Sequence, residues 1–356
     1  MRKTYLDNVR WITVVIVVLY HVIYMFNGVS TAGVIGPFSD TQPQDVFQYM
    51  VYPWFMLLLF VVSGMSARYE LEQKTTKEFI RAKTRKLLVP STIGLLVGGW
   101  ILGYYNMMIS GALDKMSEVP KPVLYLIMSV SGCGVLWYIQ VLWVLCIVLV
   151  LIRKIEKDRL YQLGAKANVV VLLLFTIVIF SAAQILNTPV IVVYRFGIYG
   201  AGFFIGYFVM SHDQVMEKLG KQWIIMSILA IISCLAFVVL YWGQPYPEHK
   251  VLDTLMCNVF AWLGTLGALA FMRKWGGFEN LFTNWMKRKS WGLYVFHYIP
   301  IAMSAWYLRQ CAPELAPVLV YILVGIAGFA GAYLLYEVVS RIPVIRWCLL
   351  GIKKEK

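Results

Sequence analysis

Residues Val9–Phe26 read VRWITVVIVVLYHVIYMF. The run is long enough to cross the hydrocarbon of a bilayer as a helix, yet His21 sits deep within it. A histidine in lipid is costly, so this side chain is expected to face a protein interior or a wet cavity. Working outward, Asp7 and Arg10 lie just before the run, in TYLDNVR. On a helix, the step from Arg10 to His21 is about three full turns, Asp7 falls about 40° from His21, and His21 stands ~16 Å above Arg10. Acid, guanidinium and imidazole then form one stripe, leading from one membrane face toward a titratable group near the middle.

The same apolar character continues along the chain. Of its 356 residues, 60% are hydrophobic and 14% charged, with a mean hydropathy of +0.70. A soluble domain would carry charge on about a quarter of its residues. Apolar runs near span length recur at 9–27, 46–67, 89–110, 134–152, 168–186, 195–211, 222–242, 253–272, 290–308 and 317–339. The pattern predicts an all-α polytopic membrane protein with about ten transmembrane helices, formed by residues 1–356 as a single integral-membrane domain. The run 195–211 is short and contains Gly197, Gly200, Gly202 and Gly206, which predicts close packing, tilt or irregularity.

A net charge of +14 could suggest a nucleic-acid partner, but its distribution argues otherwise. With ten spans and both termini cytoplasmic, only Lys115, Lys121, Arg195, Lys250 and Arg309 of the 32 basic residues fall outside. That is the positive-inside bias. No basic loop has the interleaved aromatics of a nucleic-acid surface. The six cysteines are scattered without a CxxC and read as buried small hydrophobes rather than metal ligands; a Cys133–Cys311 bridge is the one pairing the outer face would allow. The N-terminus, with small residues from Ser30 to Gly33, has some signal-peptide features, but its apolar region is too long and an uncleaved first span is expected. Residues 68–88 read as a basic interfacial helix. The stretches 27–45 and 111–132 read as outer connections that either cover an opening or simply join spans.

Several constellations could carry chemistry, each beside a plainer reading. His21 is evenly divided between a packing hydrogen bond and a general base or proton relay, for which its near-neutral reference pKa suits it. Arg81, Lys83, Arg85 and Lys86 are first of all an anchor on anionic lipid; their other reading is a phosphate clamp, with Arg81 and Arg85 sharing a helix face. LWYIQVLW, with Trp137, Tyr138 and Gln140, reads as an aromatic belt with one buried amide. SWGLYVFH places Ser290 near the inner face and His297 about 10 Å further in; His297 has no acid or arginine at helical spacing, so it carries less weight than His21. Arg195 is either a snorkelling anchor or a substrate contact, and Glu337 is expected to pair with Arg341. P-loop, HExxH and GxSxG motifs are absent, as is any paired metal-ligand spacing.

Five segments in order resemble the membrane acyltransferase-3 family over nearly the whole chain: RKTYLDNVRWITVVIVVLYH, FVVSGM (Phe60–Met65), RAKTRKLLVP (Arg81–Pro90), LWYIQVLW and SWGLYVFH. The opening TYLDNVR and the tail LYEVVSRIPVIRWCLLGIKK are further similar to the glucan biosynthesis protein C branch, associated with succinylation of periplasmic glucans. The resemblance implies a multi-pass protein of the bacterial inner membrane that moves an acetyl or succinyl group from cytoplasmic acyl-CoA to a hydroxyl of an extracytoplasmic glycan or glycolipid. It implies His21 as the essential histidine with Arg10 and Asp7 beside it, and a donor-binding basic segment at Arg81, Arg85 and Lys86. Tyr24, Trp137, Tyr138, Gln140, Arg195, Ser290 and His297 are the candidates for the substrate cavity, Tyr24 and Trp137 also as oxyanion donors. No tightly bound cofactor or metal is expected; acyl-CoA is a co-substrate, the bilayer a partner, and a homodimer is left open. The alternatives are a proton-coupled transporter or flippase using His21 and Asp7 as a relay, and a sensing subunit without chemistry.

Overall fold

The computed structural model describes residues 3–29, 33–40, 42–188 and 191–353. Ser30, Thr31 and Ala32, among the small residues of the signal-peptide reading, lie outside the described residues. Helices make up almost all of the rest, and among the described residues extended pairing is limited to the isolated bridge Asn187–Arg195. Among the described residues, seven helices are long and apolar enough to cross a membrane: Thr4–Tyr24, Pro43–Leu71, Thr76–Ile109, Gly134–Glu156, Trp223–Tyr241, Leu255–Trp275 and Pro317–Arg341. The protein is therefore an all-α polytopic membrane protein. The other three runs are also helical but shorter or interrupted. Val169–Ala183 and Phe196–Met210 fall below span length, and the ninth divides at His297 into Leu281–Phe296 and Tyr298–Cys311. Pro300 explains that break, because it has no N–H to give the Phe296 carbonyl.

The helices gather into two compact units, each drawn from three parts of the chain. The first contains Met1–Thr13, Tyr49–Arg81 and Val144–Lys287. Its centre is Leu255–Trp275, packed along Trp223–Tyr241. Trp262 is fully buried there and donates its indole N–H to the Leu172 carbonyl at 2.7 Å. The glycine-rich run at 195–211 is closely packed and irregular, as its composition predicts. A Cβ on Gly64 would meet the Phe203 carbonyl oxygen at 1.9 Å, and one on Gly206 would meet that of Val61 at 2.1 Å. Only glycine permits these two backbones to approach so closely. The run ends in a π-helical turn, Gly206–Met210. Trp223–Tyr241 exposes Ile224, Ile228, Ile231, Leu235 and Val239, an apolar face suited to lipid.

The second unit contains Val14–Gln48, Ala82–Trp143 and Arg288–Lys356. Two of its features refine the sequence expectations. The stretch 111–132 is not simply a connection: Lys121–Ser131 is a helix, started by Pro120 and Pro122 and packed on Trp100–Ile109. The basic stretch contributes a π-helical turn, Thr84–Leu88, with Leu87 buried; its helix Thr76–Lys83, with Phe79 buried, belongs mostly to the first unit. Near the outer end, buried Asp45 accepts from the Gly28 N–H at 3.0 Å and from the Gln48 amide at 3.2 Å. Gln42 donates to the Phe26 carbonyl at 2.8 Å. These bonds close the polar ends of the 27–45 segment internally.

Candidate active site

The second unit holds a pair of histidines from opposite ends of the sequence. His297 Nε2 lies 3.1 Å from His21 Nδ1. His297 is fully buried, whereas His21 keeps partial exposure. The surrounding carbonyls determine where the protons are. His297 Nδ1 lies 3.0 Å from the Leu293 carbonyl and 2.9 Å from that of Tyr294. Carbonyls only accept, so Nδ1 carries the proton and Nε2 of the neutral ring is an acceptor. His21 Nδ1 lies 2.8 Å from the Val17 carbonyl and is likewise the protonated nitrogen. Its N–H is shared between that carbonyl and His297 Nε2. The lone pair of His21 is left on Nε2, which makes no hydrogen bond among the described residues. One imidazole is thus held in the tautomer of a base by a second that orients it.

Aromatic rings enclose this pair. The Tyr298 ring lies 4.8 Å from that of His21, Tyr20 5.1 Å and Tyr24 6.4 Å. Tyr298 also lines an apolar cavity of about 500 Å³, together with Cys133, Leu136, Phe296 and Pro300. Tyr294, which holds His297 through its carbonyl, gives its hydroxyl to the Val135 carbonyl and packs against Tyr138 at 5.7 Å. Gln140 donates to the Ser91 carbonyl at 2.9 Å, at the point where the helix turns irregular at Thr92; a carbonyl released inside a membrane bundle is thereby satisfied. Trp137 is half-buried beside Tyr138, and Ser290 is half-buried. Cys133 and Cys311 are both free thiols.

The basic segment of this unit, Arg85 and Lys86, sits on the π-helical turn. The chain's tail covers it. Gly351, at φ +64°, approaches so closely that a Cβ would meet the Arg85 carbonyl oxygen at 2.1 Å. Trp291 donates to the Leu350 carbonyl at 3.1 Å and receives the Lys86 ammonium over its ring at 5.4 Å. Arg85 Nε is buried without a hydrogen-bond partner. Glu337 binds Lys289 as well as the expected Arg341, the latter at 3.6 Å.

The first unit contains the other sequence candidates. Arg10 pairs with Asp7 at 2.9 Å and also donates to the Ser66 hydroxyl, which in turn donates to the Val62 carbonyl at 2.6 Å. Arg81 is exposed. Arg195 is 5% exposed, donating to Asp253 at 3.2 Å and to the Leu252 carbonyl at 3.1 Å, while its Nε is buried without a hydrogen-bond partner. Asp253 also meets His249 at 3.3 Å. Among the described residues, no three His, Cys, Asp or Glu side chains converge as metal ligands would.

Sequence reasoning gave His297 less weight because it sought partners on the same helix, and the partner is on another. Tyr298, Tyr294 and Ser66 were missed. The proline three residues after His297 was the available signal that this segment is irregular and specialised.

Membrane-spanning helices around a histidine pair define a class of protein, a polytopic integral-membrane protein. Residues 3–337 match the family model of the acyltransferase-3 acyltransferase domain, and the chain belongs to that family of membrane acyltransferases. No curated protein and no solved structure matches it.

Proposed function

We propose that the protein carries an acyl group, acetyl or succinyl, from cytoplasmic acyl-CoA to a hydroxyl of an extracytoplasmic glycan or glycolipid. The observation that carries this reading is the proton arrangement of the histidine pair, which leaves His21 Nε2 unprotonated. His21 Nε2 takes the acceptor's hydroxyl proton as the oxygen attacks the thioester carbonyl. The carbon–oxygen bond forms, the carbon–sulfur bond breaks, and the proton passes from His21 to the departing thiolate. His297 Nε2 accepts from His21 Nδ1–H throughout, orienting the ring and stabilising the imidazolium. The apolar cavity lined by Tyr298 gives the donor's arm and acyl group a water-poor channel. Arg85 and Lys86 are the donor-phosphate contacts in the same unit. Asp7, Arg10 and Arg81 are further contacts implied by the family, as are the bacterial inner membrane as location and the glucan-succinylating branch.

The test is release of free CoA from acetyl-CoA and succinyl-CoA by the protein in nanodiscs, with a glucan as acceptor. Release that vanishes in His21→Ala is the expected result, and the preferred thioester identifies the acyl group. Folded protein that binds neither thioester and releases no CoA would overturn the reading.

A further inference from the structure

A second polar site lies in the first unit, at the C-terminal end of the span Gly134–Glu156. Arg153, Lys154 and Lys157 border a cleft of about 220 Å³, completed by Thr76, Val150 and Asp158. These three cations make no ion pair and no side-chain hydrogen bond among the described residues. Elsewhere in this unit Lys74, Arg195, Lys221 and Lys287 each hold a carboxylate; Lys166 and Lys218 hold none but do not line the cleft. The carboxylate inside the cleft is already engaged. Asp158 receives Arg68 Nη1 at 2.7 Å, while Arg68 Nε holds Glu72 at 2.9 Å and its guanidinium lies 3.5 Å over the Tyr161 ring. Glu156 accepts from the Leu160 N–H at 2.9 Å. Arg153, Lys154 and Lys157 thus hold neither carboxylate in an ion pair, and the second oxygen of Glu156 is buried without a hydrogen-bond partner.

The chain is also held firmly in the shape that forms this cleft. Lys157 and Asp158 are consecutive non-glycine residues at φ +50° and +62°, a conformation that persists only where the surroundings over-determine it. The Arg68 contacts do so on one side. On the other, the Tyr161 ring stacks on His212 at 3.9 Å, and His212 Nε2 lies 2.8 Å from the Tyr161 carbonyl.

We propose that this cleft binds a phosphate group. Phosphate offers several charged acceptor oxygens to one guanidinium fork and two ammonium groups. Thr76, at the start of the helix Thr76–Lys83, adds a hydroxyl at the cleft wall. The volume corresponds to about seven waters, room for a phosphate and its ester atoms. The phosphate has two sources at a membrane face, a soluble phosphorylated molecule and the headgroup of an anionic phospholipid. The inference stands apart from the histidine chemistry and does not require a thioester substrate.

The test compares Arg153→Gln/Lys154→Gln/Lys157→Gln with a charge-matched control, Lys166→Gln/Lys218→Gln/Lys221→Gln. Calorimetry on the full chain in phosphatidylcholine nanodiscs, with adenosine 3′,5′-bisphosphate as the soluble probe, is one arm. Retention of phosphatidylglycerol from mixed nanodiscs, read by native mass spectrometry, is the other. A bisphosphate Kd raised at least about tenfold in the cleft variant alone, with a shallower salt dependence, supports a soluble ligand. Loss of phosphatidylglycerol retention in the cleft variant alone supports a lipid headgroup. Equal behaviour of the two variants in both arms, or no binding of either probe by the wild type, overturns the proposal. Lys154→Gln alone, at an exposed position, repeats the comparison with little risk to folding.

Discussion

In the first unit, buried arginines are paired with opposite charge: Arg195 with Asp253, and Arg68 with Glu72 and Asp158. In the second, one polar pair is two histidine rings held by backbone carbonyls, with one ring nitrogen left over. The difference separates structure from chemistry. An ion pair whose partners satisfy each other has little left to offer a ligand, and breaking it leaves a buried charge uncompensated. A neutral imidazole whose one N–H is fixed keeps a lone pair available at modest desolvation cost.

The largest expected effect is at the leftover nitrogen. His21→Ala should lower acyl transfer by about 10²–10⁴-fold, the usual contribution of a positioned general base, with the thermal transition of the purified protein little changed. Activity near wild type in that variant would remove the distinction between the units. Arg195→Ala should do the opposite, costing about 3 kcal/mol of stability, read from thermal unfolding in detergent, while the folded fraction keeps its kcat/KM. A selective loss of kcat/KM at unchanged stability would make Arg195 a substrate contact instead. His297→Ala should lower kcat by about 10²-fold, the scale of a misplaced catalytic group, with KM nearly constant. His297→Gln, which keeps an acceptor for the His21 N–H, should recover part of that loss; a purely packing role predicts no such rescue.

The smallest effect concerns pH. Burial against Tyr161, with the Arg68 guanidinium near, holds the His212 imidazole below its ordinary value. The unfolded chain then binds the proton more readily than the folded one. The stabilising contribution is therefore complete above pH ~6.5 and is lost as pH falls toward the folded value. The unfolding temperature should drop between pH 7 and 5, and His212→Gln should flatten that slope. An unchanged slope would show that the stack does not titrate.

Periodicity and composition made most of the helices legible. Ten apolar runs correspond to seven full-length helices, two short ones and one interrupted at His297. The short glycine-rich run was readable because glycine has a direct steric meaning, and Gly64 against Phe203 and Gly206 against Val61 show it. The Asp7–Arg10 pair was readable because both residues lie within one turn of one helix. The helix within 111–132 was hidden by its prolines and glycines, which also suit connections.

His21 stood out from the sequence alone, because a titratable group in an apolar run carries a cost that demands a reason. Its partner did not. His21 and His297 are 276 residues apart, and helical spacing says nothing about contacts between helices. The positions of Arg195 and Arg153 were equally opaque, since two arginines at span ends read alike until one is seen beside Asp253 and the other at an unneutralised cleft. The sequence determined a helical membrane protein with a costly histidine in its first span, because hydrophobic length and the desolvation of polar groups act locally along the chain. Only the tertiary structure decided which nitrogen of that histidine is free and which cations remain unpaired, because hydrogen bonds and charge compensation depend on neighbours brought together by packing.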